Sequence, residues 1–468
     1  WPPTNTPPHT ISLPQRCSPH LIANGLSPDA VPPLLRTRHA GYLHGCASFF
    51  AVSLVLVNFG LTVLCAGKPF CPAVVWAFNC SALMTARIHD GFTFQSISAG
   101  LAFLDSHRGA QRWHICFNMV ILRCISFSMD YHSAVQCAAE KAQGSPAKPK
   151  SNSSKKGTEA PALPLSEYNW RVYLAYVFYP PLYVAGPIMG FNSFASQLLS
   201  RSRPPLRDTA VYVLRWAASF LLLEAMSHVL YFNAIAKHRV WARWKGDHPL
   251  AFRVADVGIT GFWVLNFMWL KFLVIWRYFR AIAMLEGIQA PENMLRCVNN
   301  NYNIEGFWRS WHASYNRWLV RYLYVPLGGS SRKFLTIWAV FTFVALWHDI
   351  EWRMVSWAWL MCLFFAPELI VKWAVAQPWA NRDGVKSSAA YRHLAALGAT
   401  CNISMLMTIN LLGFVTGVDG IFEFLSALLS SGSTFIALTL ITFYSSAQLM
   451  FAIRDWERRR SAQALRTE

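Results

Sequence analysis

Apolar residues fall in long runs along this chain, and basic stretches separate one run from the next. A helix that spans the hydrocarbon core of a bilayer needs about 20 mostly apolar residues. The strong candidates for such helices are the runs 43–66, 171–190, 209–235, 254–276, 333–348, 352–377, 392–417 and 432–453. Weaker runs, which are short or carry charge, predict re-entrant or tilted helices at 71–87, 95–106 and 112–130.

This pattern predicts an all-α, polytopic integral membrane protein with about eleven tilted or re-entrant helices. One membrane-embedded domain is expected over 43–453, interrupted by a flexible loop rich in Lys, Ser and Ala at 133–167. Residues 1–42 predict a disordered, basic, proline-rich tail, and 454–468 predict a basic C-terminal tail. Because the chain starts at Trp1 rather than Met, we expect the natural protein to be longer.

Composition agrees with a membrane protein. Hydrophobic residues make up 54% of the chain and charged residues 14%, whereas soluble domains carry about a quarter charged residues. The 42 Lys and Arg residues against 23 Asp and Glu residues give a formal net charge of +19. Because most basic residues lie between apolar runs, they are expected to contact lipid headgroups, and we expect no nucleic-acid partner.

The cysteines predict neither a metal site nor a disulfide framework. The chain has 11 of them, scattered along its length, and several lie inside apolar runs. No pair has the spacing of a zinc site or of a CxxC redox motif. Buried cysteines usually behave as small apolar side chains, and we expect that role here.

Candidate chemistry is concentrated between residues 299 and 361, where two histidines each follow a tryptophan. His312 ends the sequence FWRSWH, and His348 follows a long apolar run that ends in Trp347. Aromatic side chains recur every three or four residues over 303–324, among arginines that are too polar for a helix surrounded by lipid. We therefore expect 303–328 to be amphipathic and not to cross the membrane fully.

An ionisable side chain at membrane depth usually faces a cavity or a partner. A single histidine at a helix end is most often a neutral, hydrogen-bonded residue, but two histidines flanked by tryptophan favour a functional site. Imidazole suits the general base that a hydroxyl needs when it attacks a thioester. The chain contains no GxSxG, P-loop, kinase-loop or HExxH motif, so direct transfer without an acyl-enzyme is the simplest scheme.

The stretch from Asn299 to Trp352 resembles the core of the membrane-bound O-acyltransferase family, and within it the glycerol-uptake-protein branch. The motifs that carry the resemblance are PENM at 291–294, FWRSWH at 307–312, SYNRW at 314–318, ALWHDI at 345–350, FNM at 117–119 and YPP at 179–181. The similarity extends over roughly 43–453.

The resemblance implies helices around a central tunnel, with His348 at the family's active-site histidine and His312 at its second site position. It implies acyl-CoA as a co-substrate, no permanently bound cofactor, and a lipid acceptor with a free hydroxyl. In this branch the implied acceptor is the sn-2 hydroxyl of a lyso-glycosylphosphatidylinositol (lyso-GPI), acylated during anchor remodelling in the endoplasmic reticulum membrane. Further candidate substrate-binding residues are Trp308, Trp311, Asn316, Arg317, Arg321, Trp347 and Asp349.

Alternatives stay open at this point. Four basic residues are equally suited to neutralise the phosphates of CoA or to anchor the protein at the membrane interface: Arg317, Arg321, Arg332 and Lys333. Asp349 suits either the orientation of an imidazole or the start of a polar turn. A small-solute transporter and a catalytically inactive scaffold remain competing functions. The discriminating observation is whether both histidines face one cavity, which we expect at a ring separation of about 5–10 Å.

Overall fold

The computed structural model describes residues 40–143, 160–200, 204–238, 254–378, 385–386, 388–431 and 433–467. Most of the predicted tail at 1–42 and the middle of the predicted loop at 133–167 lie outside these ranges. Within them the protein is mainly helical and has no β-strand.

The helices before the histidine-bearing segment differ widely in length. They are α1 (Ser48–Cys65), α2 (Cys71–Ile88), α3 (Trp113–Ala142), α4 (Trp170–Val177), α5 (Pro180–Val184), α6 (Phe191–Ser200), α7 (Leu206–Val229), α8 (Phe232–Lys237) and α9 (Val254–Leu285). A 3₁₀ helix, Ala99–His107, precedes α3.

The remaining helices include the segment that carries both histidines. They are α10 (Ile304–Ser310), α11 (Ala313–Leu319), α12 (Lys333–His348), α13 (Trp352–Ala376), α14 (Ala389–Leu411), α15 (Gly417–Ser431) and α16 (Ser433–Thr467). A π-helical turn, Val320–Tyr324, extends α11, and a second one, Leu412–Thr416, joins α14 to α15.

Seven helical stretches in the described residues are long and apolar enough to cross a membrane. They are Ser48–Cys65, Cys71–Ile88, Leu206–Val229, Val254–Leu285, Trp352–Ala376, Ala389–Leu429 and Ser433–Ala464. The prediction of a helical, multi-pass membrane protein is therefore confirmed, and the predicted number of about eleven embedded helices stays a prediction.

Helix α3 lies at the centre of the N-terminal half and packs against α1, α2 and α4. Its buried charges are fixed by protein groups rather than by solvent. The Arg123 guanidinium donates to the carbonyl oxygens of Tyr176 and Val177 at the end of α4, at 3.2 and 2.7 Å. Asp130 accepts hydrogen bonds from Arg321 at 2.8 Å and from Tyr322 at 3.0 Å. These contacts tie α3 to the segment that follows α11.

The predicted membrane helix at 171–190 is wrong. The chain forms α4, turns at Tyr179 and forms the five-residue α5. The proline pair at 180–181 explains the break, because proline lacks the N–H that a continuing helix needs. After α5 the chain folds back closely: a Cβ on Gly186 would lie 2.4 Å from the carbonyl oxygen of Pro181.

The predicted flexible loop is partly wrong, and the predicted C-terminal tail is helical. Helix α3 continues to Ala142, so the first ten residues of the predicted loop at 133–167 are helical. Alanine is common there and is the best helix former. Helix α16 continues to Thr467, through the predicted tail at 454–468. Glu457 anchors it by accepting two hydrogen bonds of 2.9 Å from Arg296.

Candidate active site

A cavity of about 850 Å³ lies among the C-terminal helices and follows one face of α12. The residues of α12 that line it recur every three or four positions, as expected for one side of a helix: Lys333, Ile337, Val340, Phe341, Val344, Trp347 and His348. At 1.5 Å per residue, Lys333 and His348 mark positions about 22 Å apart along the helix axis. The cavity is therefore elongated, with a lysine towards one end and a histidine towards the other.

The end near Lys333 is polar and rich in cations. Glu305 and Arg309 line the cavity and pair with each other. Lys372 of α13 donates to Glu305 at 2.6 Å and also contacts Glu368. The Glu368 carboxylate accepts hydrogen bonds from the backbone N–H groups of Ile304 and Glu305, at 2.7 and 3.4 Å. It thereby caps the start of α10 and fixes that helix against α13.

The segment between α9 and α12 is bent rather than continuous. Helix α10 ends at Ser310, and His312 adopts a left-handed backbone conformation with φ 44° and ψ 48°. Helix α11 begins at the next residue. The spacing of the aromatic residues over 303–324 predicts that they share one helical face. They do not, because this bend redirects the chain. The segment is not among the membrane-spanning helices of the described residues, which agrees with the prediction for 303–328.

The imidazole of His312 is sandwiched between aromatic rings. It stacks on Trp276 of α9 with ring centroids 4.3 Å apart and lies 5.1 Å from the ring of Tyr315. His312 lines the cavity, and its Nε2 atom has no hydrogen-bond partner in the part of the chain that the structure describes. The same holds for the Tyr315 hydroxyl. Unpaired buried polar atoms are costly, so a substrate group is a natural partner for both.

His348 is the last residue of α12 and is exposed. Its exposure has a simple cause, because the residue lines the cavity. Trp357 and Phe414 approach the imidazole with ring centroids 6.4 and 6.3 Å away. No hydrogen bond to its ring nitrogens occurs among the described residues, so the imidazole is available to a bound molecule.

The structure brings both histidines to one cavity, as the sequence predicts. The ring of Trp347 contacts both imidazoles, with its centroid 6.5 Å from that of His312 and 4.8 Å from that of His348. The centroids of the two imidazoles are therefore no more than about 11 Å apart. That spacing allows one substrate to contact both rings.

The other predicted binding residues divide into two groups. Lining the cavity are Trp308, Trp311, Asn316 and Trp347. Outside its lining are Arg317, Arg321 and Asp349. Arg321 pairs with Asp130 and lies over the Tyr322 ring, which is a structural contact. Asp349 lies 3.8 Å from Arg87 and accepts from its neighbouring Ile350 N–H, so its described partners do not include an imidazole.

Three residues that contact the histidines or the end of α12 are not among the predicted site residues: Trp276, Arg87 and Asn118. Trp276 stacks on His312, although 36 residues separate them in sequence. Asn118 donates to the backbone carbonyl of Trp347, and Arg87 donates to that of His348. A signal existed only for Asn118, which lies in the FNM motif at 117–119.

This chain is similar to known proteins over most of its length. Residues 71–408 match the model of the family described as "MBOAT, membrane-bound O-acyltransferase family". The membrane-bound O-acyltransferase gup1 of Schizosaccharomyces pombe is 34% identical over 420 residues, which cover 88% of this chain and 70% of that protein. The membrane-bound O-acyltransferase GUP1 of Saccharomyces cerevisiae is 36% identical over 420 residues, covering 88% and 71%.

A more distant likeness reaches a different acyltransferase. The protein-cysteine N-palmitoyltransferase HHAT of Mus musculus is 27% identical over 300 residues, which cover 61% of this chain and 58% of that protein. The family match and the identity to the two yeast proteins extend over most of the helical domain. This chain therefore belongs to the membrane-bound O-acyltransferase family and is a multi-pass membrane acyltransferase.

Proposed function

We propose that this protein transfers a long-chain acyl group from acyl-CoA to the hydroxyl of a lysolipid, with His348 as general base. The observation that carries the proposal is one cavity that extends from Lys333 to both histidines. Among the described residues, the imidazole of His348 and the Nε2 atom of His312 have no hydrogen-bond partner, so a substrate can contact both. An apolar passage of this kind suits the pantetheine arm and acyl chain of acyl-CoA. The mouse relative's name, a palmitoyltransferase, supports a long-chain donor.

The reaction can be written with these residues alone. The hydroxyl oxygen of the acceptor attacks the thioester carbonyl carbon while His348 takes the hydroxyl proton. The carbon–oxygen bond forms, the carbon–sulfur bond breaks, and the proton passes from His348 to the CoA thiolate. His312 and the Tyr315 hydroxyl line the same space, where they hold the acceptor or stabilise the developing negative charge.

The cationic end suits the phosphates of CoA. Arg309 pairs with Glu305, and Lys372 pairs with Glu305 and Glu368. Lys333 lines the same end of the cavity, so three cations face two carboxylates there. Phosphate groups bind such clusters through charge-assisted hydrogen bonds. Donor binding at this end places the thioester near His348, further along α12.

The specific acceptor that we propose is lyso-GPI, acylated at sn-2 in the endoplasmic reticulum membrane. The support is the likeness to the glycerol-uptake-protein branch in the motifs at 307–318 and 345–350 and the identity to the yeast relatives. The test compares the anchor lipids of cells with and without this protein by mass spectrometry. Accumulation of lyso anchor lipids in its absence supports the acceptor, and unchanged anchor lipids would rule it out.

His312 offers a first test of the acceptor side of the site. We expect His312→Ala to lower acyl transfer, with a larger rise in KM for the acceptor than for acyl-CoA, because His312 lies beside His348 rather than at the cationic end. Alanine in the left-handed conformation also costs about 1–2 kcal/mol, whereas Asn adopts it more readily. His312→Asn should therefore be more stable than His312→Ala in thermal unfolding. Equal thermal stability of the two variants would contradict this interpretation of the bend.

A further inference from the structure

The end of α12 is held by side chains from two other helices. The last carbonyl groups of an α-helix have no partners within the helix, and in a membrane such groups need partners from the protein. The amide of Asn118, from α3, donates to the carbonyl oxygen of Trp347 at 2.7 Å. The guanidinium of Arg87, from α2, donates to the carbonyl oxygen of His348 at 3.1 Å. The peptide groups on both sides of the His348 Cα atom are therefore anchored.

Asn118 and Arg87 each make a second contact near the end of α12. The indole of Trp347 donates back to the backbone carbonyl of Asn118 at 3.0 Å, so these two residues exchange two hydrogen bonds. Asn118 is buried, with 8% of its surface exposed. Arg87 also lies 3.8 Å from the Asp349 carboxylate, and its side chain is 18% exposed. A cation at this position also interacts favourably with the negative end of the α12 dipole.

We infer that Asn118 and Arg87 are positioning residues for acyl transfer, which hold the end of α12 so that the His348 imidazole faces the cavity. The inference rests on the proposed role of His348. General-base catalysis needs the base within hydrogen-bond reach of the proton it takes, and a displacement of 1 Å can cost about a hundredfold in rate. Neither residue lines the cavity, so their effect passes through the helix end.

The test uses variants of similar size that cannot donate. Asn118→Leu removes the bond to Trp347, and Arg87→Met removes the bond to His348. We expect each to lower kcat about tenfold and the pair to lower it about a hundredfold, with KM for acyl-CoA changed less than about threefold. Arg87→Lys keeps a cation and a donor, so it should recover most of the lost kcat. Arg112→Gln is the matched control, because this exposed arginine pairs with Asp90 and is not among the residues that line the cavity.

A second arm separates positioning from a general loss of structure. In a His348→Gln background, Asn118→Leu and Arg87→Met should cause no further loss, because both act through the same imidazole. Thermal unfolding checks that each variant is folded; if Asn118→Leu does not fold, the contrast between Arg87→Met and Arg87→Lys decides. Folded variants with wild-type kcat would overturn the positioning role alone, provided that His348→Gln is inactive. An active His348→Gln would instead overturn the proposed function.

Discussion

His348→Gln is expected to lower the turnover of acyl-CoA at least about a hundredfold while the protein remains folded, because glutamine cannot act as a base near neutral pH. Glutamine keeps a polar side chain of similar reach, so the loss would isolate proton transfer from packing. General-base catalysis contributes about 10²–10⁴ in rate, which sets the expected range. The measurement is CoA release by purified protein in detergent or lipid, with thermal unfolding of each variant recorded separately.

The matched control for this experiment is His228→Gln. His228 lies on α7; its side chain is 77% exposed, and its Nε2 atom lies 3.2 Å from the Glu224 carboxylate. It is not among the residues that line the cavity, so its replacement should leave turnover unchanged. Turnover near the wild-type rate in folded His348→Gln would remove the general-base role.

Filling the cavity midway along α12 should also lower acyl transfer strongly. Val340 lines the cavity between Lys333 and His348, and Val340→Trp adds bulk where the donor is expected to pass. We expect kcat/KM for acyl-CoA to fall by about tenfold or more, because the indole would occupy space that the donor needs. The measurement is the dependence of turnover on acyl-CoA concentration.

Leu335→Trp provides the comparison on the same helix. Leu335 is 69% exposed and is not part of the cavity lining, so an indole there should face outwards. We expect its kcat/KM to match the wild type. Equal loss in both variants would indicate a disturbed α12 rather than a blocked passage, and no loss in Val340→Trp would exclude this route for the donor.

Much of the fold could be predicted from the length of the apolar runs, and the exceptions have physical causes. The weak run at 112–130 carries Arg123 and Asp130, which reduce its hydrophobicity. The structure buries both, because protein groups on other segments pair with them. The prediction of a membrane helix at 171–190 is wrong for the opposite reason. The run is hydrophobic enough, but it contains a proline pair that breaks the helix.

The candidate site shows the same division. His312, His348 and the tryptophans beside them could be found because they follow one another within a short, unusual segment. Arg87 and Asn118 could not be assigned to the site in this way, because they reach the end of α12 from helices more than 200 residues earlier in the chain. Such contacts depend on how helices pack, which no local pattern contains.

The proposed reaction of this protein moves an acyl group from acyl-CoA to a lysolipid hydroxyl. Its most direct test is a purified preparation in lipid, supplied with labelled acyl-CoA and lyso-GPI. We expect equal amounts of free CoA and acylated lipid, with neither formed by His348→Gln. Absence of acylated lipid from folded wild-type protein, together with solute uptake by the same protein in vesicles, would rule out this reaction and favour a transporter.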